Sequence, residues 1–231
     1  MNTANVRSKC SRPARRVTSS EGDPQNVLRS KNFGGGDDGR TPAMSQAGPV
    51  RGYIKLSNAS DYFDYSFRGK TVLDIGSSTG GFTKLALDRG AKKVIAVEKG
   101  TNQMIAPLRF DSRIELHEKT DIFGFEANPD VIVADVSFLS LTKILKYAKT
   151  HLSTPTTDFI VMLKPQFEAK PSQLTKGIVK NETTRREIIK NFEFWVKNNG
   201  FVIIKKHDNE LSGKHGNKER FYWLKLAKKI S

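Results

Sequence analysis

The segment 71–88 constrains this chain more than any other. Thr71-Val72-Leu73-Asp74-Ile75 reads as a buried strand, the glycine-rich stretch Gly76-Ser77-Ser78-Thr79-Gly80-Gly81 follows it, and 82–88 has helical periodicity. A strand that feeds a helix through glycines is the opening unit of an α/β fold. The pattern then repeats. Strand-like runs at 93–97, 113–116, 131–134, 159–163, 201–205 and 221–226 alternate with helical patterns at 103–108, 141–148 and 184–198. In the last of these helices Ile188, Ile189, Phe192, Trp195 and Val196 share one face, and Gly200 supplies the stop. The alternation predicts a seven-stranded, mostly parallel sheet with helices on both faces, and the last two strands are close enough to pair antiparallel.

A sheet of this kind binds ligands beyond the C-terminal ends of its strands. Glycines at 76, 80 and 81 let backbone approach a ligand, and the N-terminus of the helix at 82 offers free N–H groups. The candidate contact residues are Asp74, Gly76, Ser77, Ser78, Thr79, Gly80, Gly81 and Phe82. Glu98, at the end of the second strand, stands where an acid would grip ribose hydroxyls, and Asp121, after the third, could accept from an adenine amino group. Such a loop suits an adenosine cofactor. The glycines do not spell the G-x-G-x-x-G of dinucleotide enzymes, which favours S-adenosylmethionine over NAD, although an acid at Glu98 would serve either. A plain strand–helix turn is the bland alternative.

Charge narrows the partner. The formal net charge is +15; residues 1–50 hold eight Lys/Arg against four Asp/Glu, so +11 belongs to the remainder. Such an excess favours a polyanion, above all nucleic acid, because neutralising phosphates releases condensed counterions. No apolar run approaches the roughly 20 residues of a membrane span. The four histidines show no metal-ligand spacing, so no metal is expected. The single cysteine, Cys10, permits no internal disulfide, which fits a reducing, cytoplasmic setting. It also lies far from the glycine loop, against the cysteine chemistry of pyrimidine-carbon methylation.

Residues 1–50 are rich in Ser, Arg, Gly, Asn and Pro and lack apolar periodicity, so they read as a disordered tail ahead of a domain at 51–231. The tail could be a targeting peptide, an RNA-contacting arm, or the result of a start placed too early. The last reading is favoured, because Met44 lies just before the first segment with recognisable chemistry.

Four polar residues stand where chemistry would need them. Asp135 follows the fourth strand in Ala134-Asp135-Val136-Ser137-Phe138-Leu139, and Lys164 follows the fifth in Lys164-Pro165-Gln166-Phe167-Glu168. Lys55 lies in Arg51-Gly52-Tyr53-Ile54-Lys55-Leu56, and Glu219 precedes the last strand. Singly, each is most simply a solvated strand end, and Glu219 could pair with its neighbours Lys218 or Arg220. Taken with the loop and Gly100-Thr101-Asn102-Gln103, however, the set resembles the TlyA-type (hemolysin A-like) rRNA methyltransferases of the FtsJ-like superfamily. The resemblance runs from Arg51 to the C-terminus. It implies a Rossmann-like class I methyltransferase fold, S-adenosylmethionine as cofactor, and methyl transfer to a ribose 2′-hydroxyl by a Lys-Asp-Lys-Glu tetrad at Lys55, Asp135, Lys164 and Glu219.

A ribose hydroxyl is a poor nucleophile, so the site must align it with the methyl donor and assist loss of its proton. A partly desolvated lysine beside another cation can act as base, which is the role given to Lys164. Asp135 would orient it, and Lys55 and Glu219 would hold the hydroxyl. The absence of an N-P-P-Y-like segment after the fourth strand argues for oxygen rather than amino methylation.

Two departures from the resembled family stand out. No small RNA-binding domain is recognisable ahead of the methyltransferase, and Tyr53 replaces a glycine, so the local turn should differ. An RNA chaperone or ribosome-assembly factor with weak catalysis is the main alternative, with rRNA or ribosomal subunits as partner. Membrane lysis, the activity behind the hemolysin label, has no spanning or wedging segment to support it.

Overall fold

The computed structural model describes residues 51–209, 211 and 216–228, so the expectations for residues 1–50 fall outside it. Its seven strands are β1 (Thr71–Ile75), β2 (Lys93–Val97), β3 (Ile114–His117), β4 (Val131–Ala134), β5 (Asp158–Leu163), β6 (Phe201–Asp208) and β7 (Arg220–Leu226). They form one sheet in the order β3-β2-β1-β4-β5-β7-β6. β1 to β5 are parallel, and β7 lies antiparallel between β5 and β6. The order reverses between β1 and β4, which opens a crevice beyond their C-terminal ends.

Alternation along the central strands builds the two faces of the core. Val72, Val131, Val133, Ile160 and Met162 point to one cluster with Leu56, Phe63, Phe82 and Leu85. Leu73, Ile75, Ile132, Ala134, Phe159, Val161 and Leu163 point to the other, with Ile144, Leu145, Ile189 and Phe192. Helices α1 (Arg51–Phe63) and α2 (Gly81–Asp88) cover the first face. The second is covered by α4 (Leu141–His151) and α6 (Glu182–Asn198). The short α3 (Ala106–Arg109) precedes β3, and α5 (Pro165–Glu168) follows β5.

Two local expectations change. The helix anticipated at 103–108 shrinks to α3, because Gln103 is drawn to the Glu98 carboxylate and Pro107, having no N–H, fits only a first turn. No turn forms around Tyr53. Arg51–Phe63 is one helix whose Leu56, Ala59 and Phe63 are buried at helical spacing. Its first turn runs backbone-close to α2: a Cβ on Gly81 would sit 2.8 Å from the Tyr53 amide nitrogen. Gly81 thus permits the approach of two helices, and that approach presents Lys55 on the inner side of α1.

Candidate active site

The glycine loop is a shell with a buried polar floor. Gly76 and Gly80 take φ of 80° and 88°, and Ser78, without a glycine's freedom, takes 47°. Asp74 is wholly buried below the loop; its Oδ2 accepts from Thr83 Oγ1 at 2.6 Å. Among the described residues its Oδ1 has no partner, and neither has the buried Ser77 Oγ. Burial pushes the Asp74 carboxyl up to about 7; the Thr83 hydroxyl opposes this, and the neighbouring Asp135 and Glu98 charges add to it.

Glu98 closes the loop from the side. Its Oε2 accepts from the Ser78 amide at 3.0 Å, and its Oε1 from the Gly100 amide at 2.6 Å and from Gln103 Nε2 at 3.3 Å. A carboxylate has about four lone-pair directions, so capacity remains for a ligand hydroxyl. The cavity above these residues measures about 520 Å³ and is lined by Gly76, Ser78, Glu98, Asp121, Ile122 and Asp135 among others. That lies within the roughly 300–1,000 Å³ of small-molecule sites.

The other expected contact residues sit differently. Thr79 is exposed, Gly80 caps α2, and Gly81 and Phe82 pack in the core; none of them lines the cavity. Asp121 is exposed at the rim, 3.0 Å from Lys99 Nζ and accepting from the Phe123 amide, and both contacts hold its carboxyl below its usual range.

The four polar residues from separate segments come together as two pairs. Asp135 and Lys164 leave the adjacent strands β4 and β5, and Lys164 Nζ lies 2.5 Å from Asp135 Oδ1. The ammonium also donates to Ser137 Oγ at 2.9 Å. Lys55 and Glu219 form a second pair, 2.5 Å apart, with side chains only 7% and 3% exposed. Glu219 therefore does not pair with Lys218 or Arg220; Arg220 turns instead to Asp208. The antiparallel register Leu163↔Arg220 sets Glu219 across from Lys164. Asp135, Lys164 and Glu219 thus stand at one end of three neighbouring strands, β4, β5 and β7.

Sequence reasoning did not single out several supporting groups. Asn209 reaches Glu219 Oε2 at 3.4 Å, and Ser137 accepts from Lys164. Phe138 is 92% exposed at a φ of 63°, its ring 5.4 Å from that of Phe167, which lies 5.9 Å from Lys164 Nζ. Exposure of a large ring in strained backbone is costly, which could have marked Phe138 only once its backbone was known. On the cavity's far wall, Tyr147 Oη accepts from the Gly124 amide at 2.7 Å and donates to the Phe125 carbonyl at 3.0 Å, holding Phe123 edge-on to its own ring.

Among the described residues no helix is long and apolar enough to cross a membrane, and no group of three or more His, Cys, Asp or Glu could hold a metal ion.

Comparison with known proteins bears on the family and the fold. The family model of the FtsJ-like methyltransferases matches residues 49–226. A 23S rRNA (cytidine-2′-O)-methyltransferase of Campylobacter jejuni is 33% identical over 184 residues, covering 78% of this chain and 72% of that protein. Hemolysin A of Brachyspira hyodysenteriae is 37% identical over 173 residues, covering 71% of each. A relative from Bacillus subtilis is matched over 62% of its length. Among solved structures, a candidate hemolysin from Lactococcus lactis superposes with a TM-score of 0.71 at 35% identity, covering 76% of this chain and 87% of that one.

Proposed function

The chain belongs to the FtsJ-like methyltransferase family, and on that footing we propose that it transfers a methyl group from S-adenosylmethionine to a ribose 2′-hydroxyl of ribosomal RNA. The observation that carries this reading is the fixed position of Lys164 Nζ, between Asp135 Oδ1 and Ser137 Oγ beside the cavity. A lysine held there as the neutral amine would keep a lone pair for the proton of a substrate hydroxyl, with Asp135 beside it to stabilise the charge that results. Hydride transfer to or from a nicotinamide has no need of such an arrangement.

The cofactor supplies an activated sulfonium methyl. Asp74, Gly76, Ser77 and Ser78 would hold its amino-acid end, with the unpartnered Asp74 Oδ1 and Ser77 Oγ as unused polar atoms. Glu98 would take the ribose hydroxyls, and Asp121 with Ile122 and Phe123 would border the adenine. As the neutral amine, Lys164 would receive the proton that the 2′-oxygen gives up on taking the methyl group and leaving the cofactor as its thioether, and the Asp135 carboxylate would stabilise the ammonium so formed. Lys55, held by Glu219, orients the hydroxyl from the α1 side. The exposed ring of Phe138 and the half-buried ring of Phe167 offer stacking surfaces to bases at the mouth.

The relatives' names place their substrate in ribosomal RNA, and the +15 charge of this chain suits such a polyanion; the cytoplasm is where that substrate would be met. The test is transfer of labelled methyl to ribosomal subunits by wild type and by Lys164→Ala. Loss of a general base lowers such a rate by roughly 10²–10⁴. Equal labelling by the two proteins sinks the assignment of Lys164.

A further inference from the structure

Between β5 and α6 the chain runs from 164 to 181 through the single turn of α5, and the 13 residues 169–181 that join α5 to α6 exceed the roughly 2–8 usual between helices. The connection starts at Lys164 and returns to the site at its other end. Asn217, buried and two residues before Glu219, accepts from the Val179 amide and donates to the Gly177 carbonyl, each at 3.1 Å. The segment is therefore tied at both ends to the two ion pairs of the candidate active site.

Its tip is a two-residue hairpin. Thr175 and Ile178 exchange both backbone hydrogen bonds, at 2.9 and 3.1 Å, and Lys176 and Gly177 take φ of 52° and 77°. Two positive φ values mark the type I′ turn, which favours Asn, Asp or Gly at its first position. A lysine held in left-handed backbone costs about 1 kcal/mol or more, a strain that points to a use for its side chain.

Lys176 is exposed, as are Lys170 and Lys180 on the two limbs. Of the acids nearby, Glu187 shares a surface cleft with Lys170, and two others are engaged elsewhere. Glu168 accepts from Ser140 Oγ and the Leu141 amide, and Glu182 faces Arg185 and Arg186.

We propose that the β5–α6 connection is an RNA-docking wall in which Lys170, Lys176 and Lys180 take phosphates of the substrate strand and Asn217 sets the height of the turn relative to Glu219. The proposal rests on the reading of the site as an RNA methyltransferase and names the surface that the RNA uses. Phosphates fixed along this wall would position a nucleotide over Lys164 without reading its sequence.

The test compares two charge-matched variants of the full chain, Lys170→Gln/Lys176→Gln/Lys180→Gln and Arg68→Gln/Lys92→Gln/Lys197→Gln. The second removes three exposed cations remote from the connection. Binding of fluorescently labelled transcribed rRNA is followed between 50 and 200 mM KCl, with S-adenosylmethionine affinity measured in parallel. Each lost phosphate contact should lower the slope of log K against log salt by about 1, so the first variant loses about 3 and binds on the order of a hundredfold more weakly at 100 mM. Its cofactor affinity is retained. Asn217→Ala should weaken rRNA binding several-fold with the salt slope nearly intact, because its charges remain. An unchanged slope in the first variant, or an equal loss in the second, overturns the wall. Wild type that binds rRNA through these lysines yet transfers no methyl to it would sink the reaction assigned above and leave the wall standing.

Discussion

Asp74→Asn separates what the glycine loop costs the fold from what it offers a ligand. The buried carboxyl titrates near 7 in the folded chain against 3.8 as its ordinary value. A group that binds its proton more tightly when folded stabilises the fold fully below the ordinary value, and that stability is lost as pH rises towards the folded one. With 1.36 kcal/mol per unit, wild type should lose roughly 2–3 kcal/mol from this residue between pH 5 and pH 8. Asparagine can still accept from Thr83 through its carbonyl and carries no charge in this range, so the variant should lack that loss. At 2–4 °C per kcal/mol, the variant-minus-wild-type difference in melting temperature should widen by about 5–10 °C from pH 5 to pH 8. Differential scanning fluorimetry without cofactor reads this directly, and a difference between the two melting curves rather than either curve cancels the intrinsic effect of the amide. If cofactor ammonium sits against Oδ1, wild-type affinity for S-adenosylmethionine should also rise with pH through 7, and the variant should lose that dependence. Parallel pH–stability curves for the two proteins would refute the reasoning.

Two further outcomes follow from the same contacts. Lys55→Met strands the buried Glu219 charge and should cost about 3–5 kcal/mol in urea unfolding; the double change with Glu219→Leu should recover most of that while methyl transfer stays abolished. Recovery of activity along with stability would show the pair to be structural only. Tyr147→Phe removes both the acceptor for Gly124 and the donor to Phe125, and should weaken S-adenosylmethionine binding about 5- to 30-fold in calorimetry, corresponding to 1–2 kcal/mol. Unchanged affinity would mean that the Phe123 wall orders itself without the phenol.

The fold was legible where periodicity is imposed from both sides. β4 and β5 are buried along their whole length, and β4 and the stretch of β5 from Phe159 on are continuous apolar runs that hardly permit another reading. The antiparallel final pair was legible from proximity alone. α1 was not, because its pattern is diluted: Lys55 and Ser60 are buried with Leu56, Ala59 and Phe63, and polar residues on the inner face hide the helical stripe. Lys55 is buried there because Glu219 neutralises it, a partner 164 residues away that no local window contains.

The same long-range pairing sorts the site into a legible and an illegible half. Asp135 and Lys164 follow parallel neighbours, and the rule that such sheets present their chemistry at C-terminal strand ends puts them side by side from sequence alone. Lys55 and Glu219 obey no such rule. One lies on a helix whose entry depends on Gly81 allowing backbone contact, and the other precedes a strand that joins the sheet in the opposite sense. It is the reversal at β7 that brings a strand's beginning to the end of the sheet where β4 and β5 finish, and so sets Glu219 across from Lys164. The loop glycines divide likewise. Gly76 lines the cavity, where a Cβ would press on the Asp135 carbonyl at 3.1 Å, whereas Gly81 serves the packing that positions Lys55. A single glycine-rich stretch therefore shapes both halves, one glycine for each.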